Sequence, residues 1–185
     1  MLLVRRVVGG TPGAGAADAR ALAATVLGVP EDDLVVSAVC PDCGGPHGRP
    51  SLRSRSGAAV GAWVSVTHAG TGTWVAVTDE GDVGVDAELA AQPAERIASI
   101  AALVGVDAMD VRQLLRRWTR IEAVLKADGR GLRVDPARVL VSDDGSFATL
   151  GDTRIRYRFV EVEQPVDAVL SVAVREPAQP EPAAV

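Results

Sequence analysis

"WVSVTHAGTGTWVAVTDEGDVGVDAEL", Trp63 to Leu89, decides the fold class. Side chains of a strand alternate between two faces, so Val64, Val66, Val75, Val77, Val83 and Val85, interleaved with Ser, Thr, Ala and Gly, describe three short strands. "HAGTGT" and "DEGD" supply the turns, and a compact antiparallel meander is expected.

Outward from this block the period changes. A largely helical stretch is expected from about Ala94 to Ala127, ended by Asp128 and Gly129. Strands are expected to return at Arg138 to Val141, Arg154 to Val162 and Ala168 to Val174. Upstream, "DARALAATVLGV" (Asp18 to Val29) reads as a short helix capped by Asp18, "GGTPGAGAA" before it as a loop, and "DDLVVSAV" (Asp32 to Val39) as a strand. Strands on both sides of a long helical segment give an α+β pattern. No sequence repeat relates the two sides.

The chain has 185 residues, 48% of them hydrophobic, enough for one core. No apolar run approaches the roughly 20 residues of a membrane helix, and "MLLVRRVVGG" lacks the pattern of a secretory signal. A soluble cytoplasmic protein, without membrane attachment, is expected. A net charge of −5 disfavours nucleic acid as a partner. "REPAQPEPAAV" reads as a Pro- and Ala-rich disordered tail.

Two segments carry chemistry. In "GVDAE" (Gly84 to Glu88), Asp86 and Glu88 project from one face of a strand, an arrangement that an ordinary solvated sheet face also explains. In "WTRIEAVLKADGRGL" (Trp118 to Leu132), about 100° of rotation per residue places Glu122 inside the apolar stripe of Val111, Leu114, Leu115, Trp118, Ile121 and Leu125. A carboxylate there needs a cation, a metal or a donor. One turn later stands Lys126, the single lysine among 19 strong bases. A surface i, i+4 pair with Glu122 would explain it, contributing about 0.3–0.5 kcal/mol. Asp86, Glu88 and Glu122 together suit a hard cation such as Mg²⁺ with a pyrophosphate, for which lysine is a compact point charge.

With "CPDCGGPHGRP" (Cys40 to Pro50) and "SVTHAG" (Ser65 to Gly70) preceding them, these motifs resemble those of the Sfp-type 4′-phosphopantetheinyl transferases, in the family's order, from about Gly28 to Pro136. The resemblance implies two pseudo-symmetric α/β halves with the active site between them, here residues 1–83 and 84–175, followed by a tail at 176–185. It implies transfer of the phosphopantetheine arm of coenzyme A, as co-substrate, to a serine of an acyl or peptidyl carrier protein in polyketide, nonribosomal peptide or fatty acid biosynthesis, by a cytoplasmic monomer. By the same resemblance Asp86, Glu88 and Glu122 hold Mg²⁺. Lys126 holds the pyrophosphate and assists the leaving phosphate, and Glu122 orients or deprotonates a water that activates the serine. Arg49, Thr67, His68 and Gly70 lie against coenzyme A. Three departures stand out: Ile121 replaces the first lysine of the family's W-x-x-K-E-A-x-x-K pattern, the N-terminal part is short, with Arg5, Arg6 and Arg20 as the available bases, and the segment from Leu89 to Trp118 is short. A divergent homologue that binds carrier protein or coenzyme A without transfer is the alternative.

Cys40, Cys43 and His47 have zinc-ligand spacing but no fourth ligand, so a turn with two free thiols is favoured over a metal or redox site. "TRIRYRFVEVE" alternates Ile155, Tyr157 and Phe159 against Arg154, Arg156 and Arg158. That fits a solvated sheet face, or a basic strip for an acidic partner.

Overall fold

The computed structural model describes residues 1–8, 14–106, 110–151 and 155–177. They form a mixed α and β fold with three α-helices and three sheets.

The first sheet has the order β1 (Leu2–Val8), β5 (Gly72–Thr78), β4 (Trp63–Ala69), all antiparallel. Helix α1 (Ala14–Leu27) covers its outer face, where Ala19, Leu22 and Ala23 pack on Val64, Val75 and Val77. The helix begins four residues before the expected cap. Ala-rich backbone propagates a helix without help, and the Asp18 carboxylate faces Arg5 Nη1 at 3.3 Å. Strands β2 (Leu34–Ser37) and β3 (Ser51–Ser54) make a separate hairpin.

The second sheet is β6 (Val83–Leu89), β10 (Ala168–Arg175), β9 (Arg156–Val160), β8 (Phe147–Leu150), β7 (Val139–Val141). The expected three-stranded meander therefore stops after β5. Strand β6 leaves the first sheet and takes β10 as its backbone partner, in register from Val83 against Val174 to Leu89 against Ala168. It still runs beside β4, held by side chains: Val85 N donates to Ser65 Oγ at 3.0 Å and Thr67 Oγ1 donates to Asp86 Oδ1 at 3.1 Å. A Cβ on Gly70 would touch the Leu89 side chain. Contacts that advance together along both strands show that β4 and β6 point the same way.

The helical stretch is two helices, α2 (Ala94–Val104) and α3 (Val111–Asp128). Gly105, with φ of 67°, ends α2; Asp110 opens α3 by accepting from Arg112 N and Gln113 N; Gly129, with φ of 90°, ends it. The apolar stripe of α3 packs on the outer face of the second sheet, with Leu115, Trp118 and Leu125 among Val169, Tyr157 and Ala173. A buried Thr119–Ser171 hydroxyl pair at 2.8 Å joins α3 to β10. The inner faces of the two sheets share a second cluster, Trp74 and Ala76 against Val85, Ala87, Leu170 and Val172. Each fully buried Leu or Val here contributes about 1.5–3 kcal/mol relative to exposure.

Strands β7, β9 and β10 match the expected ones within two residues, while β1, β3 and β8 were not foreseen. Arg154 and residues 178–185 lie outside the described residues, as does most of the expected loop at 9–13. Among the described residues no helix is long and apolar enough to cross a membrane.

Candidate functional site

The site begins with a glycine. A Cβ on Gly84 would lie 1.9 Å from Ala123 O and 2.7 Å from Ala127 N, so only a residue without a side chain lets the α3 backbone settle onto β6. Alternation along β6 turns Gly84, Asp86 and Glu88 toward the same side, and Val83, Val85 and Ala87 toward the inner cluster. Glu122 and Lys126, one helical turn apart, bracket Ala123 and so stand over the strand at Asp86.

Asp86 is the most enclosed of these groups, 6% exposed. Its Oδ1 accepts from Lys126 Nζ at 2.6 Å and from Thr67 Oγ1 at 3.1 Å. Burial pushes its carboxyl above the usual carboxylate range, against the opposing pull of Lys126 and Thr67. Lys126 also donates to Val85 O at 3.1 Å. An ammonium has three N–H donors, and Asp86 and Val85 occupy two of them.

Glu122 is half-buried and makes no hydrogen bond or ion pair with any described residue. Burial raises its pKa first, and the charges of Asp86 and Glu88 raise it further, with Lys126 and Arg96 acting in opposition. Glu88 is held by Gln92 Nε2 at 2.8 Å and by the Arg96 guanidinium of α2. Four of the expected site residues, Asp86, Glu88, Glu122 and Lys126, thus form one electrostatic unit joined by Thr67.

The carboxylates offer oxygen donors only, which fits a hard divalent cation such as Mg²⁺. Their oxygens do not all lie within 4.8 Å of one another. Closing them around one ion requires these oxygens to approach one another, with Glu88 starting from its contacts with Gln92 and Arg96 and Asp86 from its pair with Lys126.

The remaining expected residues are placed differently. His68 lies on the face of β4 opposite Thr67, exposed, with Nδ1 2.8 Å from Thr73 Oγ1. Gly70, with φ of 57°, turns the chain beside Leu89 at the end of β6. Arg49 donates through Nη2 to Asp82 Oδ1 at 2.7 Å and to Ala127 O at 3.2 Å, a cation at the C-terminal end of α3 adjoining Lys126. Arg5, Arg6 and Arg20 each pair with an acid, namely Asp18, Asp167 and Glu31. Ile121 is 3% exposed within the α3 cluster.

Sequence reasoning missed Gly84, Gln92 and Arg96. The glycine's role shows only once α3 lies against it, and the Glu88–Arg96 contact crosses a turn from strand to helix, for which no fixed spacing exists.

A second cluster lies in the β2–β3 connection. The ligand atoms of Cys40, Cys43 and His47 all lie within 4.8 Å of one another, the only such set among the described residues. The backbone N–H groups of Asp42 and Cys43 hold the Cys40 thiol below its ordinary range.

No protein-family model matches the chain, and no curated protein matches it.

Proposed function

We propose that the protein is a Mg²⁺-dependent 4′-phosphopantetheinyl transferase that moves the phosphopantetheine arm of coenzyme A to a serine of an acyl or peptidyl carrier protein. The observation that carries this reading is the seam between β4 and β6. There Asp86, paired with Lys126 and Thr67, lies beside a Glu122 that has no hydrogen-bond or ion-pair partner among the described residues. The seam joins two sheets that each carry a helix on the outer face, which supports the reading of two α/β halves with the active site between them.

Asp86, Glu88 and Glu122 would hold Mg²⁺, which when bound neutralises pyrophosphate charge. The third N–H of Lys126 meets a phosphate oxygen while the other two keep the side chain fixed. In the reaction the serine Oγ forms a bond to the β-phosphorus of coenzyme A, and the bond from that phosphorus to the bridging oxygen breaks. 3′,5′-ADP leaves with the bond's electrons, and Lys126 compensates the negative charge that grows on it. The serine proton passes to the Glu122 carboxylate, directly or through one water. General-base help of this kind contributes about 10²–10⁴ in rate.

A second reading, a homologue that binds coenzyme A or carrier protein without transfer, draws on one feature: the position of the family's first lysine is Ile121, sealed in the core. Incubation with coenzyme A, Mg²⁺ and a panel of apo carrier proteins, followed by intact-mass measurement of the carriers, separates the two. The transferase reading expects one carrier to gain the phosphopantetheine arm. Calorimetric binding of a carrier with no mass gain on any of them would leave the second reading.

A further inference from the structure

The stretch Cys40–Pro50 is built like a metal-binding turn. Cys40 N donates to Gly45 O at 2.8 Å and Gly44 N to Cys40 O at 2.9 Å, with Gly44 at φ of 71°. These bonds fold Cys40 and Cys43 onto one side of a tight turn. Gly45 N donates to Cys43 Sγ at 3.4 Å, and Cys43 Sγ lies 3.0 Å from His47 Nε2. The chain then returns past Val39 at Gly48, where a Cβ would lie 2.2 Å from Val39 O, so the return is possible only for glycine. Two thiols, an imidazole and sulfur-directed amides therefore converge in a loop that carries almost no apolar core of its own.

We propose that Cys40, Cys43 and His47 bind a zinc ion, with the fourth position taken by water or an exogenous ligand. Zinc–sulfur bonds of about 2.3 Å and zinc–nitrogen bonds of about 2.0–2.1 Å at tetrahedral angles need ligand atoms about 3.6–3.8 Å apart. The three ligand atoms already lie within 4.8 Å of one another, so shifts of about 1 Å complete the site. Soft thiolates with imidazole select zinc over the hard Mg²⁺ assigned to the carboxylates. The amide donors to sulfur act as outer-sphere partners that favour thiolate. The same loop delivers Arg49 to Asp82 and to the C-terminal end of α3, so the ion fixes the anchor of that helix end. This inference does not depend on phosphopantetheine transfer.

The test uses the full chain, purified without a polyhistidine tag and fully reduced. Elemental analysis should find one zinc per chain, and cobalt(II) added to the metal-free protein should produce thiolate-to-cobalt charge-transfer absorption, reversed by zinc and untouched by excess Mg²⁺. Cys43→Ser and His47→Ala, checked for folding by circular dichroism, should each weaken zinc binding by at least about 10-fold, the lower end of what loss of an outer-sphere partner alone causes. Zinc should raise the unfolding temperature of the wild type and not of Cys43→Ser. Folded, reduced protein with no thiolate–cobalt band, or zinc content unchanged in Cys43→Ser, overturns the proposal.

Discussion

Glu122→Gln isolates the electrostatics of the acidic site. Glu122 is half-buried, has no partner among the described residues, and faces Asp86 and Glu88, whose charges repel it. An unsatisfied buried polar group costs about 1–3 kcal/mol, and partial solvent access puts Glu122 near the lower end, at about 1 kcal/mol. Gln keeps the shape and removes the charge. Because the folded pKa is raised, the glutamate's contribution to stability is fully present below its unfolded pKa of about 4.3 and is lost as pH rises through the folded value. The variant should therefore be more stable than the wild type at pH 7, by about 2–4 °C in Tm for a domain of this size, and should converge with it below about pH 4. Thermal unfolding followed by circular dichroism across this range, without added divalent ions, measures the difference. A Tm at pH 7 below that of the wild type, or a difference that does not change with pH, would refute this account of Glu122. The same variant should lose transfer activity while retaining its fold.

Other perturbations probe the frame around the site. Lys126→Met leaves the Asp86 carboxylate enclosed with only Thr67 as donor; it should destabilise the protein by about 3 kcal/mol, the low end for breaking a buried pair because the ammonium is partly solvated, and the loss should shrink at low pH as Asp86 protonates. Denaturant titration at two pH values checks both parts. Gly84→Ala places a methyl group inside the α3 backbone, so it should cost about 1–3 kcal/mol or more and abolish activity by lifting Glu122 and Lys126 from β6. Urea unfolding together with the transfer assay tests this. Ile121→Lys should lower the urea midpoint rather than add a catalytic cation, since the position is sealed in the α3 cluster and an unpaired ammonium there is costly.

The parts of the fold legible in the sequence were those whose residue pattern has a clear period, even where both faces of the strand are covered, as in β5. Trp63–Ala69 and Gly72–Thr78 pair as expected, and of the α3 stripe Leu114, Leu115, Trp118, Ile121 and Leu125 enter the core, while Val111, in the first turn, stays 43% exposed. Strand β3, "SLRS", buries Leu52 alone, so it has no period to detect. Strand β1, "LLVRRVV", places its arginines side by side and shows no alternation of polarity, yet it pairs along its whole length with β5. The departure of β6 from the meander is set by β10, a partner near the far end of the chain, and no local signal announces it. At the site, Glu122 within an apolar stripe announced itself, and so did a lone lysine one turn away. Their meeting with Asp86 depends on Gly84, whose importance is steric and appears only in three dimensions.

The most direct test is the affinity of the protein for coenzyme A, measured by titration calorimetry with and without Mg²⁺. If Asp86, Glu88, Glu122 and Lys126 hold a divalent cation against a pyrophosphate, Mg²⁺ should tighten binding at least about 10-fold, or 1.4 kcal/mol, in the wild type and leave Asp86→Asn unaffected. An affinity that ignores both the metal and the substitution would contradict the account.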